Sequence, residues 1–103
     1  MTLPKHRPPT HPGAMLLAEF LEPLQLSQAE AARRLKMPLN RLNELIKGKR
    51  GITPDTALRL AELFKVSPAF WMGLQASWDL WHAVQRRKAR GEVGSIRSIA
   101  KAS

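Results

Sequence analysis

Between Pro38 and Arg50 the chain carries side chains that trade hydrogen bonds rather than protons: Asn40, Arg41, Asn43 and Glu44, followed by Lys47, Lys49 and Arg50. The amides and the guanidinium fork match the edges of base pairs, and the cations match the phosphates that flank them. Bond-breaking chemistry finds no comparable support. The sequence has no cysteine, which excludes a disulfide framework, a thiolate zinc site and a Cys nucleophile together. His6, His11 and His82 share neither a helical face nor a ligand spacing, so no metal is expected. Ser27 has no neighbouring base, and a capping role accounts for it. No paired carboxylates stand at a catalytic spacing. An enzyme, a cofactor and a small-molecule substrate are therefore not expected.

The charge agrees with an anionic partner. Across 103 residues, 17 Lys and Arg against 8 Asp and Glu give a net charge of +9. The excess is concentrated in two zones, +4 over residues 36–50 and +5 over residues 81–103. Clustered positive charge suits a polyanion, because each neutralised phosphate releases a condensed counterion. A solvated basic surface that only aids solubility is the alternative that composition leaves open. No apolar run approaches the roughly 18 residues that span a bilayer, and residues 1–12 are polar and proline-rich without a hydrophobic signal core. A cytoplasmic protein with no membrane partner is expected.

Positioning this polar face requires helices, and the sequence predicts five. Residues 1–11 hold Pro4, Pro8 and Pro9 and read as a flexible arm. The first helix is expected from about Pro12 to Glu22, ended by Pro23. The second opens at Ser27, with Glu30 completing a capping box and Ala31, Ala32 and Leu35 facing inward. The third begins near Pro38, buries Leu42, Leu45 and Ile46, and stops at Gly48. Thr53 with Pro54 and Ser67 with Pro68 start the fourth and fifth. The fifth runs to about Lys88, roughly 20 residues and 30 Å. Residues 89–103 read as a basic, disordered tail. The expected class is all-α: a five-helix repressor-like domain over 12–88, with its core at about 16–71 and an extended C-terminal helix.

A short second helix, a tight turn and a third helix that is apolar inward and polar outward form a helix-turn-helix arrangement, whose second helix fits the major groove. The run from Leu26 to Leu35, followed by Asn40 to Arg50, resembles the Cro/cI-type (Xre) phage repressor family. With His11-Pro12-Gly13, Gly48 to Thr53, Asp55 to Leu60 and Ser67 to Trp71 added, the likeness over residues 11–82 is to the HigA-type antitoxins. Two departures stand out. Lys36 replaces a frequent turn glycine, which is tolerable if its backbone avoids the left-handed region, and Pro38 replaces a Ser or Thr cap.

The resemblance implies a cytoplasmic antitoxin that binds a HigB-type mRNA-cleaving toxin and represses its own operon through operator DNA as a homodimer. It matches Gln28, beside Ser27, to a residue that touches phosphate and buttresses the third helix, although a solvent-facing Gln would read the same. Leu39, Asn40, Arg41, Asn43 and Glu44 would face base edges, where Asn suits adenine, Arg guanine, and Glu accepts from cytosine. Pro38 stands with them at the start of the DNA-binding helix, although it removes one possible base or phosphate contact. Glu44 could instead pair with Arg41 or Lys47. Lys47, Lys49 and Arg50 would sit on phosphates, unless Arg50 only caps a helix end. Trp71, Leu74, Trp78 and Trp81 recur at spacings of three, four and three on one seam of the fifth helix, which suggests a two-fold interface. Phe70 and Trp71 especially would serve as ordinary core, whereas Trp78 and Trp81 lie beyond the repressor-like domain. A monomer with a folded-back tail is the alternative. An orphan regulator without a toxin, and a toxin-sequestering module with little DNA binding, remain the competing functional readings.

Overall fold

The computed structural model describes residues 7–100 of the chain, so His6 and the ends of the arm and tail lie outside the described residues. Its elements are α1 (Pro12–Leu16), which widens into a π-helical turn over Leu17–Leu21, then α2 (Gln28–Leu35), α3 (Leu39–Ile46), α4 (Pro54–Phe64) and α5 (Pro68–Ala89). No strand occurs among the described residues. The π turn was not expected. In it Glu22 N donates to Leu17 O at 3.0 Å, a five-residue step, and Leu16 and Leu21 both lie in the core. A regular 3.6-residue repeat would set residues five apart on different faces.

Four of the five α-helices start on a side-chain cap. His11 is buried, and its Nδ1 accepts the Gly13 N–H at 2.9 Å, so the last residue of the expected arm is a fixed N-cap. Ser27 Oγ accepts from Glu30 N at 3.1 Å, Thr53 Oγ1 from Thr56 N at 3.2 Å and Ser67 Oγ from Phe70 N at 3.3 Å. The capping box is only half made. The Glu30 carboxylate turns forward to Arg33 and, at 2.9 Å, to Arg34 Nε, because two cations one turn along the helix outcompete one amide. These contacts hold the Glu30 carboxyl down to about 2.

The turn between α2 and α3 corrects a second expectation. Lys36 lies in the left-handed region, with φ of 56°, and its N–H satisfies the free carbonyls of Ala32 and Arg33. Arg59, from α4, completes that end: its Nη1 donates to Leu35 O at 2.9 Å and Lys36 O at 2.8 Å, while its Nε meets Asp55 at 2.8 Å. The core joins Leu16 and Leu21 of α1 and its π turn to Ala32, Leu42, Leu60 and Trp71. Phe20 stacks toward Phe64 and Trp71 with ring centres 5.0 and 5.1 Å away. α5 ends one residue beyond the expected point. Glu92 N then bonds Arg87 O at 2.9 Å, Gly91 takes φ of 67°, and Arg87 Nη2 ties Glu92 O at 2.9 Å, so the start of the expected tail folds into a C-terminal cap.

Candidate nucleic-acid interface

α3 is eight residues long, and its two faces differ sharply. Leu42 and Leu45 are 0 and 1 % exposed, anchored on the core. Asn40 and Lys47 are exposed, and Asn43 and Glu44 half-exposed, so the polar side is turned away from the protein body. Pro38, the N-cap, offers no side-chain bond to the helix start, and Pro38, Leu39 and Ser27 are exposed. The free amides of that start are thus left to solvent or to a ligand.

The backbone behind α3 is held with little tolerance. A Cβ on Gly13 would fall 1.9 Å from Leu45 O, so α1 touches the main chain of α3 directly. Only glycine permits that approach. Past α3, Gly48 takes φ of 76° and Lys49 N bonds Glu44 O at 2.9 Å, which carries Lys49 and Arg50 onto the exposed side. Arg50 Nη2 pairs with Glu44 Oε2 at 3.1 Å. The partner of Glu44 is therefore neither Arg41 nor Lys47, and Arg50 answers a carboxylate rather than capping a helix.

Arg41 differs from its neighbours. It is half-buried and leans on the start of α4, with Nη2 to Thr56 Oγ1 at 3.5 Å and Nε buried without a hydrogen-bond partner. Reaching a base would require it to leave that weak contact. Gln28 is also half-buried, with Oε1 unpaired, so it is not the freely solvated side chain that one reading allowed. A buried polar atom left unpaired costs about 1–3 kcal/mol, which favours any rearrangement that supplies a partner.

The aromatic seam divides in two. Trp71 is 0 % exposed and lies wholly inside the monomer core, so it can belong to no interface between copies. Leu74 packs on the edge of that core. Trp78 and Trp81 are half-exposed. Trp78 stands edge-on to His11 at 4.9 Å and lies at 4.2 Å from His82, so two histidines already cover part of it. His11 and His82 therefore share a neighbourhood that their sequence spacing did not suggest. No group of three or more potential metal ligands occurs among the described residues. None of their helices is long and apolar enough to cross a membrane.

Two residues that sequence reasoning passed over shape this site: Arg59, which pins the α2–α3 turn, and Gln75, buried in α5, whose Oε1 accepts the Ile52 N–H at 2.6 Å. Polar residues on helices carry no sign of a distant backbone partner. A polar residue in the apolar half of α5 was the one signal that could have pointed to Gln75.

Comparison with known proteins places this geometry. A helix-turn-helix family model matches residues 17–71. An uncharacterized HTH-type transcriptional regulator, YbaQ of Escherichia coli K12, is 40 % identical over 95 residues, covering 92 % of this chain and 84 % of that protein. The antitoxin HigA-1 of Vibrio cholerae is 34 % identical over 80 residues, or 78 % of this chain and 75 % of the relative. The solved structure of Pseudomonas aeruginosa antitoxin HigA with the higBA promoter superposes with a TM-score of 0.81 at 36 % identity, over 89 % of this chain and 99 % of that one. The outward polar face and inward leucines of α3 are thus found in a chain that belongs to the Xre-type helix-turn-helix family, in the branch of the HigA antitoxins.

Proposed function

We propose that this chain is an antitoxin that binds operator DNA as a homodimer, represses its own promoter and takes a HigB-type mRNA-cleaving toxin as its second partner. The observation that carries the DNA part is the split of α3, with Leu42 and Leu45 locked in the core and Asn40 and Lys47 free to meet a duplex. Asn40 and Asn43 read bases, and Lys49 and Arg50 rest on phosphates without reading sequence. Leu39 is 43 % exposed and offers an apolar contact, which suits a thymine methyl. Kinship with the HigA antitoxins supports the toxin part. The P. aeruginosa relative solved with its promoter supports the choice of operator DNA as ligand. In the dimer, the two α3 helices would lie about 34 Å apart and call for a pseudo-palindromic site.

The test is the duplex from immediately upstream of this chain's own reading frame. Replacing Asn40 and Asn43 by Ala should cost about 1–3 kcal/mol for each bidentate base pairing removed and leave random-sequence binding unchanged. The logarithm of affinity should fall with log salt at a slope of about −5 to −8, as for six to nine phosphates. An unaltered operator affinity in the double variant would rule out readout through α3. A regulator without a toxin is the second reading, favoured by the kinship to YbaQ, which is named as a transcriptional regulator. A small toxin frame adjoining the gene decides against it.

A further inference from the structure

We propose that Gln75 is a positioning residue for DNA binding: from α5 it fixes the loop after α3 and so sets where Lys49 and Arg50 meet the phosphates. The inference rests on the DNA-binding reading above and adds a role that lies off the DNA face. Gln75 is 9 % exposed, and both ends of its amide are engaged. Its Oε1 accepts the Ile52 N–H at 2.6 Å, and its Nε2 donates to Asp79 Oδ1, one turn further along α5, at 2.9 Å. The Asp79 bond decides which end of the amide faces the loop, because a carboxylate accepts only from the NH2 group.

Gly51 is fitted to the same contact. A Cβ there would stand 2.8 Å from Cδ, Oε1 and Nε2 of Gln75 alike. The other glycine of this loop, Gly48, takes φ of +76°, whereas Gly51 has no such conformation, so its need for glycine is one of room. The loop is thus tied at two points. Near α3, Lys49 N bonds Glu44 O and the Arg50 guanidinium bonds the Glu44 carboxylate. At Ile52 it is tied to α5. The second tie starts from the helix that carries Trp78 and Trp81. If a partner copy sits on those tryptophans, Gln75 refers the phosphate-contacting loop to the two-fold axis, and with it the separation of the two half-sites.

A filler of the Gly51 niche would act otherwise. It would lower stability without altering how salt or half-site spacing affects binding. Three substitutions separate the roles. Gln75→Leu keeps the bulk and removes both bonds. Gly51→Ala pushes on the same amide. The pair Gln75→Glu with Asp79→Asn keeps the acceptor for the Ile52 N–H and reverses donor and acceptor between the two side chains.

Binding is measured to the duplex from upstream of the reading frame, to versions with one base pair added or removed between half-sites, and to a random-sequence duplex. Gln75→Leu should bind the natural duplex about tenfold more weakly, with a salt slope smaller by about 1–2 per protomer as the phosphate contacts of Lys49 and Arg50 loosen. It should also discriminate less against altered spacing. Gly51→Ala should behave alike, and the pair with donor and acceptor exchanged should return to within about threefold of the original chain. Wild-type affinity, slope and spacing preference in Gln75→Leu would overturn the proposal, as would an exchanged pair no better than Gln75→Leu. Amide exchange in the unsubstituted chain tests the tether without DNA: Ile52 N–H should be protected, and exchange as fast as in an open loop would refute it. A protected Ile52 amide in a chain that does not prefer its own upstream duplex would instead sink the DNA reading, and the role of Gln75 with it.

Discussion

His11 caps α1 through Nδ1, which can accept the Gly13 N–H only while the ring is neutral with its proton on Nε2. Burial lowers the pKa of His11 from 6.5; Asp79 opposes that shift and His82 adds to it. Because the folded value lies below the unfolded one, the cap contributes fully above pH 6.5 and is lost as pH falls toward the folded value. Urea titrations from about pH 7 to about pH 5 should show stability declining, and His11→Asn, which caps without titrating, should flatten that decline. At this scale the sequence disclosed residue types better than their partners. The His-Pro-Gly run was legible through family likeness alone, since nothing local says that Gly13 abuts the carbonyl of the distant Leu45. Glu44 showed an evident need for a cation, yet the choice of Arg50 depends on the Gly48 turn that swings the chain back.

The helices themselves were readable, because caps and apolar spacing are local signals. Ser27, Thr53 and Ser67 each cap the helix they were expected to start. What escaped were departures that answer to packing. The π turn keeps Leu16 and Leu21 over one core, and the left-handed Lys36 lets α2 end under the reach of Arg59. Lys36 holds a conformation that costs a non-glycine residue about 1–2 kcal/mol, partly offset by the entropy that glycine would lose. Lys36→Gly should therefore raise stability by about 0.5–1 kcal/mol. Arg59→Ala should lower it by about 1–2 kcal/mol, less than for a buried group because the side chain is 36 % exposed. Chemical denaturation midpoints check both. Opposite signs are expected, although both residues serve the same turn.

For the molecule as a whole, the question is what covers α5. The sequence pattern made one seam of four residues and marked its Trp71 end as fit for the core, but periodicity alone cannot say where the inner stretch stops. Trp71 is core, Trp78 is shared with His11 and His82, and Trp81 remains half-exposed with its Nε1 buried and unpaired. If two copies meet here, Trp81→Ala should shift sedimentation from dimer to monomer at micromolar concentration. It should also reduce affinity for a two-site duplex far more than for a single half-site, because the second binding step is then no longer intramolecular. An unchanged sedimentation coefficient would count against this seam.

The contact of His11 with Trp78 joins the two ends of the folded domain. Gly13 presses on α3 from the front of the chain, and Gln75 grips the segment behind α3 from the rear. The stretch that would face a duplex is therefore held from behind by a frame that draws on both outermost helices. Excised alone, residues 26–50 would keep every polar side chain of that face and lose the frame that aims them.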